Sequence, residues 1–182
     1  MKRISVVGSS GSGKTTVARR VAEALAVPYV ELDALHWGPN WVAASGPELV
    51  AKIDAATTGD AWVIDGNYWS KVGPLVWGKA DTVVWVSPSR WRTVWQSLTR
   101  TVRRAASGEE LWSGNRENWT GLLFWRGEES ILWWAWTAHP RIQERYAAAM
   151  ADPTWDHLTF HRLRTRRDVD RFVAGLDRQN HG

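Results

Sequence analysis

A chain of 182 residues, 44% of them apolar, is long enough to bury a full hydrophobic core and too apolar to be disordered. It has no cysteine, which excludes disulfides and thiolate metal sites and fits a reducing compartment. Its net charge of +4 arises in residues 90–182, where fifteen arginines face eleven acids; by itself this does not argue for a nucleic-acid partner.

The first strand signal is Lys2 to Val7, followed by a glycine-rich turn. Val17, Val21 and Leu25 recur four apart and predict a helix over Lys14–Ala26, closed by Pro28. Tyr29 to Leu32 reads as a second strand ending at Asp33. Ser45-Gly46-Pro47-Glu48 is a capping box that opens a helix ending near Gly59. Ala61 to Ile64 is a third strand, closed by Asp65-Gly66, and Thr82 to Val86 a fourth. Ser87-Pro88 is expected to cap a long helix with Trp91, Val94, Trp95, Leu98 and Val102 on one face. Glycines break the rhythm from Ser107 to Gly127. Glu128 to Met150 is mainly helical, with a break expected at His139-Pro140. Leu158 to Leu163 is a fifth strand, and Thr165 to Asp168 caps a last helix.

Strands alternating with helices imply an α/β domain: five parallel strands covered on both faces. The chain reads as one domain over 1–182, with a lid or insertion at about 105–138. The apolar run after Arg3 is too short for a secretory signal, and Ile131 to Ala138 is about half a membrane span. A soluble, cytoplasmic protein without a membrane partner is expected.

Gly8-Ser9-Ser10-Gly11-Ser12-Gly13-Lys14-Thr15 matches the P-loop pattern G-x-x-x-x-G-K-S/T in full, between a strand and a helix. Its glycines let successive N–H groups turn toward one anion, and the helix adds its positive end. Lys14 can reach the β- and γ-phosphates, Thr15 can ligate Mg2+, and Thr16 can touch the α-phosphate. Asp33 and Asp65 each follow a strand, at the edge where parallel sheets bind ligands. One can support the metal and the other can accept a proton; either can instead cap a loop. No N-K-x-D guanine reader is present, which favours ATP over GTP.

The order of the P-loop, Leu32-Asp33-Ala34-Leu35-His36-Trp37 and Trp62-Val63-Ile64-Asp65-Gly66-Asn67-Tyr68 resembles the adenylate-kinase-related proteins labelled FlaR-type DNA topology modulation proteins, from Met1 to about Leu176. The resemblance implies a P-loop, nucleoside-monophosphate-kinase-like fold with a helical lid, and a carboxylate at Asp65 that supports Mg2+. It also implies that arginines at Arg100 and Arg104, and at Arg141 and Arg145, clamp the transferred phosphoryl group. Arg164 falls at a corner that lies beside the adenine in related kinases; a solvated helix start is the alternative. The chain departs from adenylate kinases in two places. Asn67-Tyr68-Trp69 replaces their Phe-Pro-Arg, and Asp33 and His36 stand where their Thr-Gly-x-x-x-Arg would be. Both departures argue against AMP as acceptor.

Fifteen tryptophans are present, six of them between Trp112 and Trp136. They can pack the lid, wall a planar acceptor, or stack single-stranded nucleic acid. Gly114 to Trp119 is polar within that stretch and can bring Arg116 to an acceptor or form a plain loop. The expected reading is an ATP-dependent phosphotransferase acting on a hydroxyl- or phosphate-bearing metabolite. Lys14, Asp33, Arg104 and Arg141 carry the chemistry. Gly8, Ser9, Gly11, Ser12, Gly13, Lys14, Thr15, Thr16, Arg100 and Arg164 hold ATP. Thr15 and Asp65 hold Mg2+, and Asp33, His36, Trp37, Asn67, Tyr68 and Arg116 meet the acceptor. The alternative is an ATP-binding regulatory or DNA-associated protein with weak ATPase activity. A homodimer through an exposed tryptophan face stays open.

Overall fold

The strand segments are short runs rich in valine, isoleucine and tryptophan, which suit a surface buried on both sides. A computed structural model of the chain describes residues 1–116 and 131–180, and only the backbone of 69–71, 131–135 and 177–180. Its strands are β1 (Arg3–Val7), β2 (Tyr29–Glu31), β3 (Trp62–Asp65), β4 (Thr82–Val86) and β5 (Thr159–Leu163). They form one parallel sheet in the order β2-β3-β1-β4-β5. The helices are α1 (Lys14–Leu25), α2 (Leu32–His36), α3 (Gly46–Ala56), α4 (Trp69–Lys79), α5 (Arg90–Ser107), α6 (Ile131–Ala149) and α7 (Arg166–Asn180).

Successive strand residues feed opposite cores. Val63 joins Ile4, Val6, Val17, Val21 and Val173 under α1 and α7. Ile64 joins Leu49, Ile53, Val72, Trp77 and Tyr146 under α3, α4 and α6. Both faces are therefore covered, as parallel strands require. The capping residues act as expected at two helices. Ser45 Oγ accepts from the Glu48 N–H at α3, and Thr165 and Asp168 bond reciprocally at α7.

Several expectations need correction. β2 ends at Glu31, one residue early, because Leu32 and Asp33 already belong to α2. α4 was not expected, since Gly73, Pro74 and Gly78 weaken its helical signal. Ser89, two residues after Ser87, caps α5 by accepting from the Arg92 N–H.

The apolar face of α5, whose direction its spacing leaves open, points outward: Trp91 is 73% and Trp95 66% exposed, while Thr93, Ser97 and Thr101 are buried. The reason is a close approach. A side chain at Gly11 would start 2.5 Å from the Thr93 carbonyl oxygen and 2.9 Å from Ser97 Cβ. Only small residues can pack there.

No break occurs at Pro140, and α6 runs through it. Proline supplies no N–H to the carbonyl four residues before it, which is that of Trp136. The Arg90 guanidinium donates to that carbonyl from Nε at 3.1 Å and Nη2 at 2.7 Å. It also lies 3.5 Å over the Trp136 ring. Replacing Arg90 by Ala should destabilise the fold by about 1–3 kcal/mol. Thermal melting checks this, and an unshifted midpoint would show that water serves the carbonyl as well.

Candidate active site

The carboxyl ends of β1, β2 and β3 meet at one edge, and register fixes which side chains share it. Glu31 pairs with Asp65 across β2 and β3, and Val6 pairs with Asp65 across β1 and β3. The loop after β1 turns tightly, with the Ser12 N–H donating to the Ser9 carbonyl at 3.0 Å. Gly11 and Gly13 adopt φ of 77° and 87°, which disfavour any other residue. Gly13 caps α1 without a side-chain bond, and the first turn of α1 holds no acid. Its free N–H groups and positive end therefore favour an anion.

Two cavities flank this helix start. One, of about 430 Å³, lies between the loop, α5 and the turn after β5 and is lined by Arg92, Gln96, Arg164, Thr165 and Arg166. The other, of about 830 Å³, is lined by Lys14 and Thr15 on its floor and Glu31, Asp33 and Trp37 on one wall. Gln96, Arg100, Arg103, Arg104, Glu109 and Trp112 form its far side. Gly13 and Thr16 line both cavities, so the spaces meet at the loop.

The acidic wall is tightly coupled. Asp65 is 2% exposed, and burial pushes its carboxyl above the usual range. Nearby Lys14, Thr15 and the Tyr29 hydroxyl pull it down, while Asp33 pushes it further up. Tyr29 donates to Asp65 Oδ2 at 3.3 Å, and Oδ1 is buried with no hydrogen-bond partner among the described residues. An oxygen so placed beside Thr15 fits a divalent cation that takes its remaining oxygens from phosphate and water. Glu31 is likewise raised by burial, then by Asp65 and Asp33, and is eased by Arg19 at 3.5 Å.

The folded chain binds the Asp65 proton more tightly than the unfolded chain, so this group costs stability once pH rises above the ordinary carboxylate value. Replacing Asp65 by Asn should raise the melting temperature of the nucleotide-free protein at neutral pH. A lowered melting temperature would reassign Asp65 to the fold.

The expected site residues divide clearly. Gly11, Gly13, Lys14, Thr15, Thr16, Asp33, Trp37, Arg100 and Arg104 line the larger cavity, Ser12 and Arg164 the smaller. Gly8 and Ser9 form the root of the turn, Ser9 being buried. His36 lies elsewhere: it is 2% exposed and packed against Trp37 and Tyr68, with ring centroids at 4.7 and 4.8 Å. Asn67 is occupied behind the wall, accepting from the Tyr146 hydroxyl at 2.5 Å. Tyr68 is there too, donating to Asp33 Oδ1 at 2.5 Å. Arg116 is exposed and paired with Glu110 at 2.7 Å, and Arg141 is exposed on α6 outside the cavity wall.

Residues that spacing did not single out also contribute. Glu31 closes β2 and lines the larger cavity. Arg103 follows Arg100 by three and so shares its helix face, a signal the sequence does carry. Asn115, 6% exposed, ties two loops together across the cavity mouth. It donates to the Gly38 carbonyl at 2.8 Å and accepts from the Trp41 N–H at 3.0 Å. Ser113 adds a bond to the Trp37 carbonyl at 2.8 Å. Of the clustered tryptophans, Trp112 walls the cavity and Trp136 packs on Arg90 and Trp91. Trp119 and Trp125 lie outside the described residues, as do the side chains of Trp133 and Trp134.

Residues 4–64 match the ATPase family associated with various cellular activities (AAA). Cytidylate kinase of Nitratidesulfovibrio vulgaris strain DP4 is 42% identical over 50 residues, 27% of this chain and 22% of that protein. The match thus spans less than a quarter of the relative's length. Shikimate kinase from Acinetobacter baumannii, solved in complex with shikimate, is 14% identical at a TM-score of 0.58, covering 99% of this chain and 94% of that one. Shikimate kinase from Bacteroides thetaiotaomicron is 13% identical at 0.51, covering 100% and 99%. The fold is that of the P-loop kinases. Among the described residues no helix is long and apolar enough to cross a membrane.

Proposed function

We propose that this P-loop kinase-like chain transfers the γ-phosphoryl group of ATP to a hydroxyl- or phosphate-bearing small molecule. The observation that carries the reading is the larger cavity. It opens from Lys14 and Thr15 with carboxylates on one wall and arginines on the other. Transfer needs this pairing: an acceptor of the proton on one side, and positive charge for the moving phosphoryl group on the other.

The smaller cavity takes the base and ribose, and Arg164 and Arg92 lie along it. Lys14 and the loop N–H groups hold the phosphates. Thr15 and Asp65 hold Mg2+, which when bound neutralises phosphate charge. Asp33 receives the proton as the acceptor oxygen attacks the γ-phosphorus, and the bond to the β–γ bridging oxygen breaks to release ADP. Arg100, Arg103 and Arg104 balance the charge; Arg141 is left out. The segment 105–138 serves as the lid of a single domain, its described part contributing Glu109 and Trp112 to the wall.

The test is ATP consumption in the presence of a metabolite panel. Stimulation by one compound, with a phosphorylated product, supports the reading. Absence of stimulation, together with duplex binding that weakens steeply with salt, would favour a DNA-associated ATP-binding protein instead.

A further inference from the structure

We infer that Tyr68 and Trp37 form a positioning pair for Asp33. The inference rests on the transferase reading above. Three observations carry it. Asp33 lines the larger cavity, whereas Tyr68 lies behind that wall, lining a small gap with Leu32, Gly66 and Tyr146. From there the Tyr68 hydroxyl donates to Asp33 Oδ1 at 2.5 Å, which leaves the second oxygen for the cavity. The Trp37 indole also acts as a donor toward the Tyr68 hydroxyl, and its ring forms part of the cavity wall.

The chemistry gives this chain of bonds a direction. An indole nitrogen can only donate, so the Tyr68 hydroxyl must turn its own hydrogen away from Trp37. It turns it toward Asp33. His36 packs edge-on against both rings and holds the pair in place. Asp33 sits on a five-residue helix, too short to fix a side chain by itself. The two aromatic residues supply the missing constraint. Trp37 does so while presenting its ring to the acceptor, so contact with the acceptor and orientation of the carboxylate depend on the same side chain. Tyr68 thus touches the base, not the substrate.

The experiment uses the full chain, Mg2+·ATP and the compound phosphorylated in the panel above. Tyr68→Phe keeps the ring and removes the hydroxyl; Trp37→Phe keeps a ring and removes the indole donor. Each should lower kcat about tenfold to a hundredfold. Binding of a non-hydrolysable ATP analogue should stay unchanged, and each variant should remain folded with a melting temperature no more than modestly lowered. In an Asp33→Asn background, Tyr68→Phe should cost nothing more, because the group it orients no longer takes the proton. An undiminished kcat in Tyr68→Phe overturns the inference, as does a full further loss in the Asp33→Asn background. Both outcomes leave the transferase reading standing. A wild-type chain that phosphorylates no compound removes both.

Discussion

Replacing Lys14 by Ala should abolish ATP turnover, by at least about a hundredfold to a thousandfold, while leaving the chain folded, its melting temperature lowered only by the loss of a positive charge near buried Asp65. The magnitude follows from removing a preorganised positive group where charge develops in the transition state. The survival of the fold has a separate cause. Lys14 begins α1, where alanine is at least as good a helix former. The hydrophobic anchors of that helix are Val17, Ala18, Val21 and Ala22. Steady-state ATP hydrolysis and a thermal melt decide the matter together. An unchanged rate would remove the whole mechanism.

Replacing Asp33 by Asn should suppress phosphoryl transfer by about 10² to 10⁴, the usual span for a lost general base. The amide oxygen can still accept from the Tyr68 hydroxyl, so the wall keeps its shape. ATP binding should therefore change little. Nucleotide titration and product formation, measured on the same preparation, separate the two effects. Equal losses in both would assign Asp33 to the metal or the fold.

What the sequence makes legible depends on range. The caps at Ser45 and Thr165 and the valine-rich strands are local patterns, and they stand within a residue of where spacing puts them. The α5 face is not local. Its orientation is decided by the closeness of Gly11 to Thr93 and Ser97, residues more than eighty positions apart. Periodicity groups the tryptophans on one face without saying which way that face turns; the contact with Gly11 requires the small residues on the inner side. His36 illustrates the same limit. Its spacing from Asp33 suits a relay, but α2 ends by burying it against two rings. Arg116 is exposed and paired with Glu110, and Arg141 is exposed on α6 and absent from the cavity lining, arrangements that no pattern in one chain records. Asn115 is the converse case: a polar residue in an aromatic stretch that fastens two loops.

The bond between Arg90 and Trp136 has a consequence for inheritance. Pro140 can remain in α6 because a side chain from α5 serves the carbonyl that proline leaves unserved. Arg90 is then not free to drift while Pro140 stays. A lineage that loses the arginine first carries an unserved carbonyl; one that first loses the proline has a spare arginine. The second order is the easier one, so related chains lacking Arg90 should lack Pro140 as well.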